Sequence, residues 1–147
     1  MQNADTWLLT PFEQVGPLRL GTGRNQIIAQ IGEPTHVLST DPVLEEAHGA
    51  VHVQLVYDRE ERLLGVQTEP DITVVYGETT ITGRQVDELR GELERAGITA
   101  VRADEGIDVP ELGLLLYAPQ YSDEAPPRTV LGVLAVRRDY HDVVGTP

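Results

Sequence analysis

Apolar and polar positions alternate over Val51–Asp58, with Val51, Val53, Leu55 and Tyr57 on one side and His52, Gln54 and Asp58 on the other. A period of two is that of a strand with one buried face. The charged stretch 58–62 reads as a turn and Arg62–Thr68 as a second strand, so an antiparallel hairpin is predicted. Asp71–Tyr76 is β-branched, ends at Gly77 and predicts a third strand. Helical spacing occurs twice. Ile27, Ile28 and Ile31 share one face over Gly23–Ile31, which Gly32 and Pro34 terminate. Val86, Leu89, Leu93 and Ala96 form a stripe over Arg84–Ala96. Thr82 and Gln85 have capping-box spacing there, and Gly97 occupies the left-handed place after the helix. Trp7-Leu8-Leu9, Leu18-Arg19-Leu20, Thr35–Ser39 and Ile98–Arg102 are shorter extended candidates, and Leu112–Ala118 and Thr129–Arg138 predict strands. Thr40–Gly49, Ala103–Glu111 and Pro119–Arg128 are polar and read as loops, with a peripheral tail from Asp139.

Parts of this pattern recur. Thr22-Gly23-Arg24 matches Thr82-Gly83-Arg84, and Leu55-Val56-Tyr57 resembles Leu115-Leu116-Tyr117, both at an offset of 60. Leu64-Gly65-Val66 resembles Leu131-Gly132-Val133 at an offset of 67. The matches fall in the same order, so one domain spanning 1–147 with internal repeats at 12–70 and 71–138 is expected. The expected fold class is α+β: two tandem helix-plus-antiparallel-sheet repeats packed together, each too small to bury its own sheet face.

The segment Gly21-Thr22-Gly23-Arg24-Asn25-Gln26-Ile27, followed by Ile31-Gly32-Glu33-Pro34, resembles a known opening motif, G-M-T-x-x-x-V…L-G-x-P. It is shared by the small outer-membrane-assembly lipoproteins of the SmpA/OmlA type and by the beta-lactamase-inhibitor-like proteins. Thr22 stands where Met is usual and Gly23 where the capping Thr is usual. The resemblance implies tandem α+β repeats and, through the inhibitor group, a protein-binding role.

Composition narrows the chemistry. In 147 residues there is no cysteine, and all eleven basic residues are arginine. Thiolate nucleophiles, disulfides, Fe–S clusters and Schiff-base or phosphate-binding lysines are therefore excluded. The net charge of −13 is spread over both halves of the chain. Such a surface repels nucleic acid and anionic membrane, and it speeds encounter with a basic protein. The same acidity also serves solubility. The start Met1-Gln2-Asn3-Ala4-Asp5 lacks the basic and apolar regions of a signal peptide, and a cytoplasmic location is expected.

No catalytic constellation can be read, so the chain is expected not to be an enzyme and to need no cofactor or metal. His48 and His52 have i,i+4 spacing, which suits a metal only on a helix, and the strand pattern opposes one there. Gly21-Thr22-Gly23 fits helix entry better than an anion cradle. Carboxylates cluster in the predicted loops, where Glu45, Glu46, Asp104, Glu105, Asp108 and Glu111 form a candidate acidic face. His52 on a polar strand face and Tyr121 in a polar loop are added as contact residues, whereas Tyr57 and Tyr117 are assigned to the core. These readings, with the resemblance, lead to an expectation. The chain is a cytoplasmic immunity protein that occludes the basic active-site cleft of a bacterial toxin, with no nucleic acid or membrane as partner. A scaffold or small-ligand-binding domain is the alternative, and a carboxylate-dependent hydrolase ranks below both.

Overall fold

The computed structural model describes residues 6–40, 42–103, 105–119 and 128–144. Strands are the commonest element among them. A five-stranded sheet contains β1 (Thr6–Thr10), β2 (Gln14–Val15), β3 (Leu18–Arg19), β8 (Thr73–Tyr76) and β9 (Thr79–Thr80), in the order β3-β2-β1-β8-β9. Its β1 and β8 run parallel. The larger sheet holds β4 (His36–Thr40), β5 (Val43–His48), β6 (Val53–Tyr57) and β7 (Leu63–Thr68) from the first half of the chain. From the second half come β10 (Val101–Ala103), β11 (Gly106–Val109), β12 (Leu114–Tyr117) and β13 (Gly132–Val136). All eight form one antiparallel sheet in the order β10-β11-β12-β13-β7-β6-β5-β4.

This architecture corrects the expected α+β class. The molecule is a β-rich protein of two sheets to which α1 (Arg24–Ile31), α2 (Val86–Arg95) and α3 (Tyr140–Val144) add a minor helical part. Strands from both halves share the large sheet, so no helix-plus-sheet unit stands by itself. One hydrophobic cluster joins the parts: Trp7 and Leu18 from the small sheet, Ile27 from α1, Leu89 from α2, and Leu55 and Leu116 from the large sheet. The side chains on the inner face of the large sheet thus meet the helices and the small sheet.

Two segments read as loops are strands. Over Val43–His48, Glu46 and His48 occupy the inward positions where apolar residues are ordinarily expected, and both are buried. β11 is only four residues long, and its inward Ile107 and Val109 alternate with Gly106 and Asp108. The capping box is also absent. Helix α2 begins after Gln85, which makes no side-chain cap, and the Thr82 hydroxyl instead accepts from Val74 N–H and donates to the Ile72 carbonyl. At the other end, Ile98 N–H donates to Leu93 O and Gly97 N–H to Glu94 O, with Gly97 at φ +83. Those two bonds satisfy carbonyls the helix leaves open.

Backbone registers recur between the halves at offsets other than that of the first sequence matches. Gly21 N–H donates to Leu63 O, Leu63 N–H to Thr22 O and Arg24 N–H to Glu61 O. In the same way Gly83 donates to Val130 O, Val130 to Arg84 O and Val86 to Arg128 O. Glu61 and Arg128 both adopt positive φ, 59° and 64°. Glu46 pairs with Leu55 as Ile107 pairs with Leu116, and His48 with Val53 as Val109 with Leu114. Tyr57 therefore corresponds to Ala118 rather than to Tyr117. A one-residue slip moves a strand side chain to the opposite face. Tyr57 is fully buried, whereas Tyr117, assigned to the core from sequence, is 47% exposed.

Candidate functional site

Two features stand out against this frame, one inside the molecule and one on its surface. Inside, Glu46 and His48 point from β5 toward the start of α1, where the Arg24 Nε–H donates to Glu46 Oε2. The other oxygen, Oε1, lies 3.0 Å from His48 Nε2. A carboxylate oxygen accepts, so in this contact the His48 Nε2–H donates to Glu46 Oε1. Nδ1 is buried and finds no hydrogen-bond partner among the described residues; the same holds for the Tyr57 hydroxyl. Burial raises the Tyr57 phenol above its ordinary value, and the Glu46 charge adds to this. At the corresponding places of the second half stand Val86, Ile107, Val109 and Ala118, all buried. The backbone arrangement thus tolerates an apolar interior at these positions, and the polar cluster belongs to the first half alone. Glu46 and His48 are sealed from solvent. Its evident effect is to tie α1 to β5.

On the surface, the outer face of the large sheet carries a cleft of about 550 Å³ where β10–β13 meet the end of β7. Leu115 and Tyr117 of β12, Leu134 of β13 and Ala103 of β10 line it. Its floor is open because Gly106 and Gly132 contribute no side chain. Neither could carry one: an added Cβ would overlap the Leu116 carbonyl oxygen at Gly106 and the Thr68 carbonyl oxygen at Gly132. Close strand approach therefore requires glycine at both places, and the cleft follows from that requirement. The formally charged residues lining it are Glu69 and Glu105. Beside Glu69, His52 places Nδ1 3.6 Å from its Oε1 and Nε2 3.9 Å from Asp71 Oδ2.

The candidate contact residues do not converge on one loop face. Glu105 is exposed on the cleft rim. His52 reaches the same rim through Glu69, but from a left-handed residue (φ 60°) between a 3-10 turn and β6, not from a strand face. Asp108 is half-buried on β11. Exposed Glu111 accepts from Thr99 N–H at 2.9 Å. Glu45 lies in β5 near the far edge of the sheet. Glu46 is buried in its ion pair and is not a surface residue, because the segment that carries it is an interior-facing strand. Asp104 and Tyr121 lie outside the described residues. Sequence reasoning missed Tyr117, Leu115, Leu134 and Glu69. The continuous apolar run 112–118 hides which of its residues face outward, and only the pairing of β12 with β11 and β13 settles it.

Among the described residues, no group of three or more His, Asp or Glu is arranged to hold a metal, and no helix is long and apolar enough to cross a membrane. No family model matches the sequence, and no curated protein matches it. Among solved structures, a cysteine-rich secretory protein from Staphylococcus aureus subsp. aureus Mu50 is similar in fold, with a TM-score of 0.52 and 18% identity. The match covers 90% of this chain and 49% of that one, so this chain spans about half the length of its structural neighbour. The likeness concerns the fold alone, and this chain contains no cysteine.

Proposed function

We propose that this chain is a non-catalytic protein-binding inhibitor, of the cytoplasmic immunity type, that meets a basic partner at the cleft on the outer face of its large sheet. The observation that carries the reading is an apolar, solvent-facing cleft whose charged lining residues are both carboxylates, on a chain of net charge −13. An apolar centre with a charged rim is the usual division of labour at an interface: the centre supplies affinity, the rim steering and specificity. The matching occupant is an apolar or aromatic anchor flanked by Arg or Lys on the partner. Tyr117 is the natural anchor from this side, being aromatic and exposed. The inhibitor class is supported by the motif-level resemblance of 21–34, and occlusion of a toxin's basic active-site cleft is the mechanism it suggests.

The test is capture from the native cell with wild-type protein and with the Tyr117→Ala variant, followed by an activity assay of the captured protein. The expected outcome is one basic protein whose activity falls on binding, with Tyr117→Ala weakening the complex at least about tenfold. A partner bound equally by wild type and variant, or one whose activity is untouched, overturns the reading. The cleft volume also lies within the ordinary range for small ligands. An apolar metabolite retained by wild type and lost from Tyr117→Ala would support the small-ligand reading instead.

A further inference from the structure

The large sheet has two edges, and they are built differently. At one edge β10 has three residues, includes Arg102 and turns at once into Glu105. Shortness and charge are the devices that keep an edge from recruiting another strand. At the opposite edge β4 has five residues, His36-Val37-Leu38-Ser39-Thr40, without a formal charge when His36 is neutral. It pairs with β5 on one side, and no described strand pairs with the other. Val37 and Leu38 are 53% and 59% exposed. Because neighbouring strand residues point to opposite faces, β4 presents an apolar side chain on each face of the sheet as well as an open ladder between them.

We infer that β4 is a strand-addition site for an extended segment of another protein, with an apolar or β-branched core flanked by Arg or Lys. The ladder supplies main-chain hydrogen bonds, and Val37 and Leu38 supply the side-chain contacts. The basic flanks follow from the surrounding charge. Glu33 and Asp41 bracket the strand in sequence, Glu45 pairs in register with Leu38, and the whole chain is acidic. A second copy of the chain would bring −13 against −13, which disfavours self-pairing along this edge. The site is separate from the cleft, which reaches only as far as β7, with β6 and β5 lying between β7 and β4 in the sheet.

Amide hydrogen exchange on the full chain tests the inference. The probe is a synthetic peptide of about seven alternating Thr and Val residues with two Arg at each end, enough to span the strand. Its counterpart carries Glu in place of Arg. The expected result is exchange over 36–40 slowed at least about tenfold by the Arg-flanked peptide and unchanged by the Glu-flanked one. Leu38→Lys, a substitution at an exposed position, should abolish the protection, while Tyr117→Ala should leave it intact. Circular dichroism on both variants establishes that they are folded. Absence of protection, equal protection by both peptides, or protection confined to 115–134 would overturn the inference. So would protection of 36–40 that grows with protein concentration without peptide, which would identify a second copy as the occupant. Because Tyr117→Ala disables the cleft and spares β4, failure at one surface is distinguishable from failure at the other.

Discussion

At the scale of single residues, the interior of the first half carries a polar cluster that the second half does without. Tyr57 is fully buried, and its hydroxyl has no partner among the described residues. A buried hydroxyl that bonds to nothing costs its desolvation without return. Tyr57→Phe is therefore expected to raise stability by about 1 kcal/mol, read as a higher urea midpoint at unchanged slope. Arg24, Glu46 and His48 behave oppositely, because each completes the others. Removing Glu46 alone leaves Arg24 facing an emptied site and His48 without its acceptor, so Glu46→Ala should cost about 3 kcal/mol or more. Replacing all three by the residues at the corresponding places (Arg24→Val, Glu46→Ile, His48→Val) should cost far less than that single change and can be stabilising. A triple variant less stable than Glu46→Ala would show that the cluster contributes more than mutual compensation.

At the scale of elements, the connection between β6 and β7 is held by a second ionic group. Burial pushes the Asp58 carboxyl up, but the Arg62 N–H, the Arg137 guanidinium and the Glu60 N–H outweigh it and leave the group below its ordinary value. Arg137 also donates to Asp139, and this bond lowers the Asp139 carboxyl in turn. Lowered carboxyls stabilise the fold above their unfolded pKa of about 4, and that contribution disappears as pH falls through their folded values. Stability should thus fall with acid below about pH 4. Arg137→Ala should be destabilised by about 2 kcal/mol at neutral pH and converge toward wild type in acid, as measured by urea unfolding at each pH. The elements legible in the sequence by their period were those in which it was undisturbed, such as β6 and α2. β5 was hidden because Glu46 and His48 sit at inward positions, so the burial period shows only once their partner Arg24 is placed. β11 was hidden by its length and its acidity. The cleft was unreadable for a different reason: two glycines in strands and the register of one apolar run make it, and neither has a periodic signature.

At the scale of the whole molecule, both halves contribute adjacent strands to one sheet, and the cleft lies where β13 meets β7. The acidity that sequence placed on two loops is distributed instead. Some of it is consumed in the interior by Arg24 and Arg137, and some lines the cleft through Glu69 and Glu105. The central claim is that this carboxylate-rimmed apolar cleft receives a basic protein, and a salt titration of the captured complex tests it most directly. The wild-type complex is expected to weaken steeply between low and physiological salt. The Glu69→Lys, Glu105→Lys double variant is expected to bind at least about tenfold more weakly at low salt, with much of the salt dependence gone. Unchanged affinity and an unchanged salt slope in that variant would contradict the account.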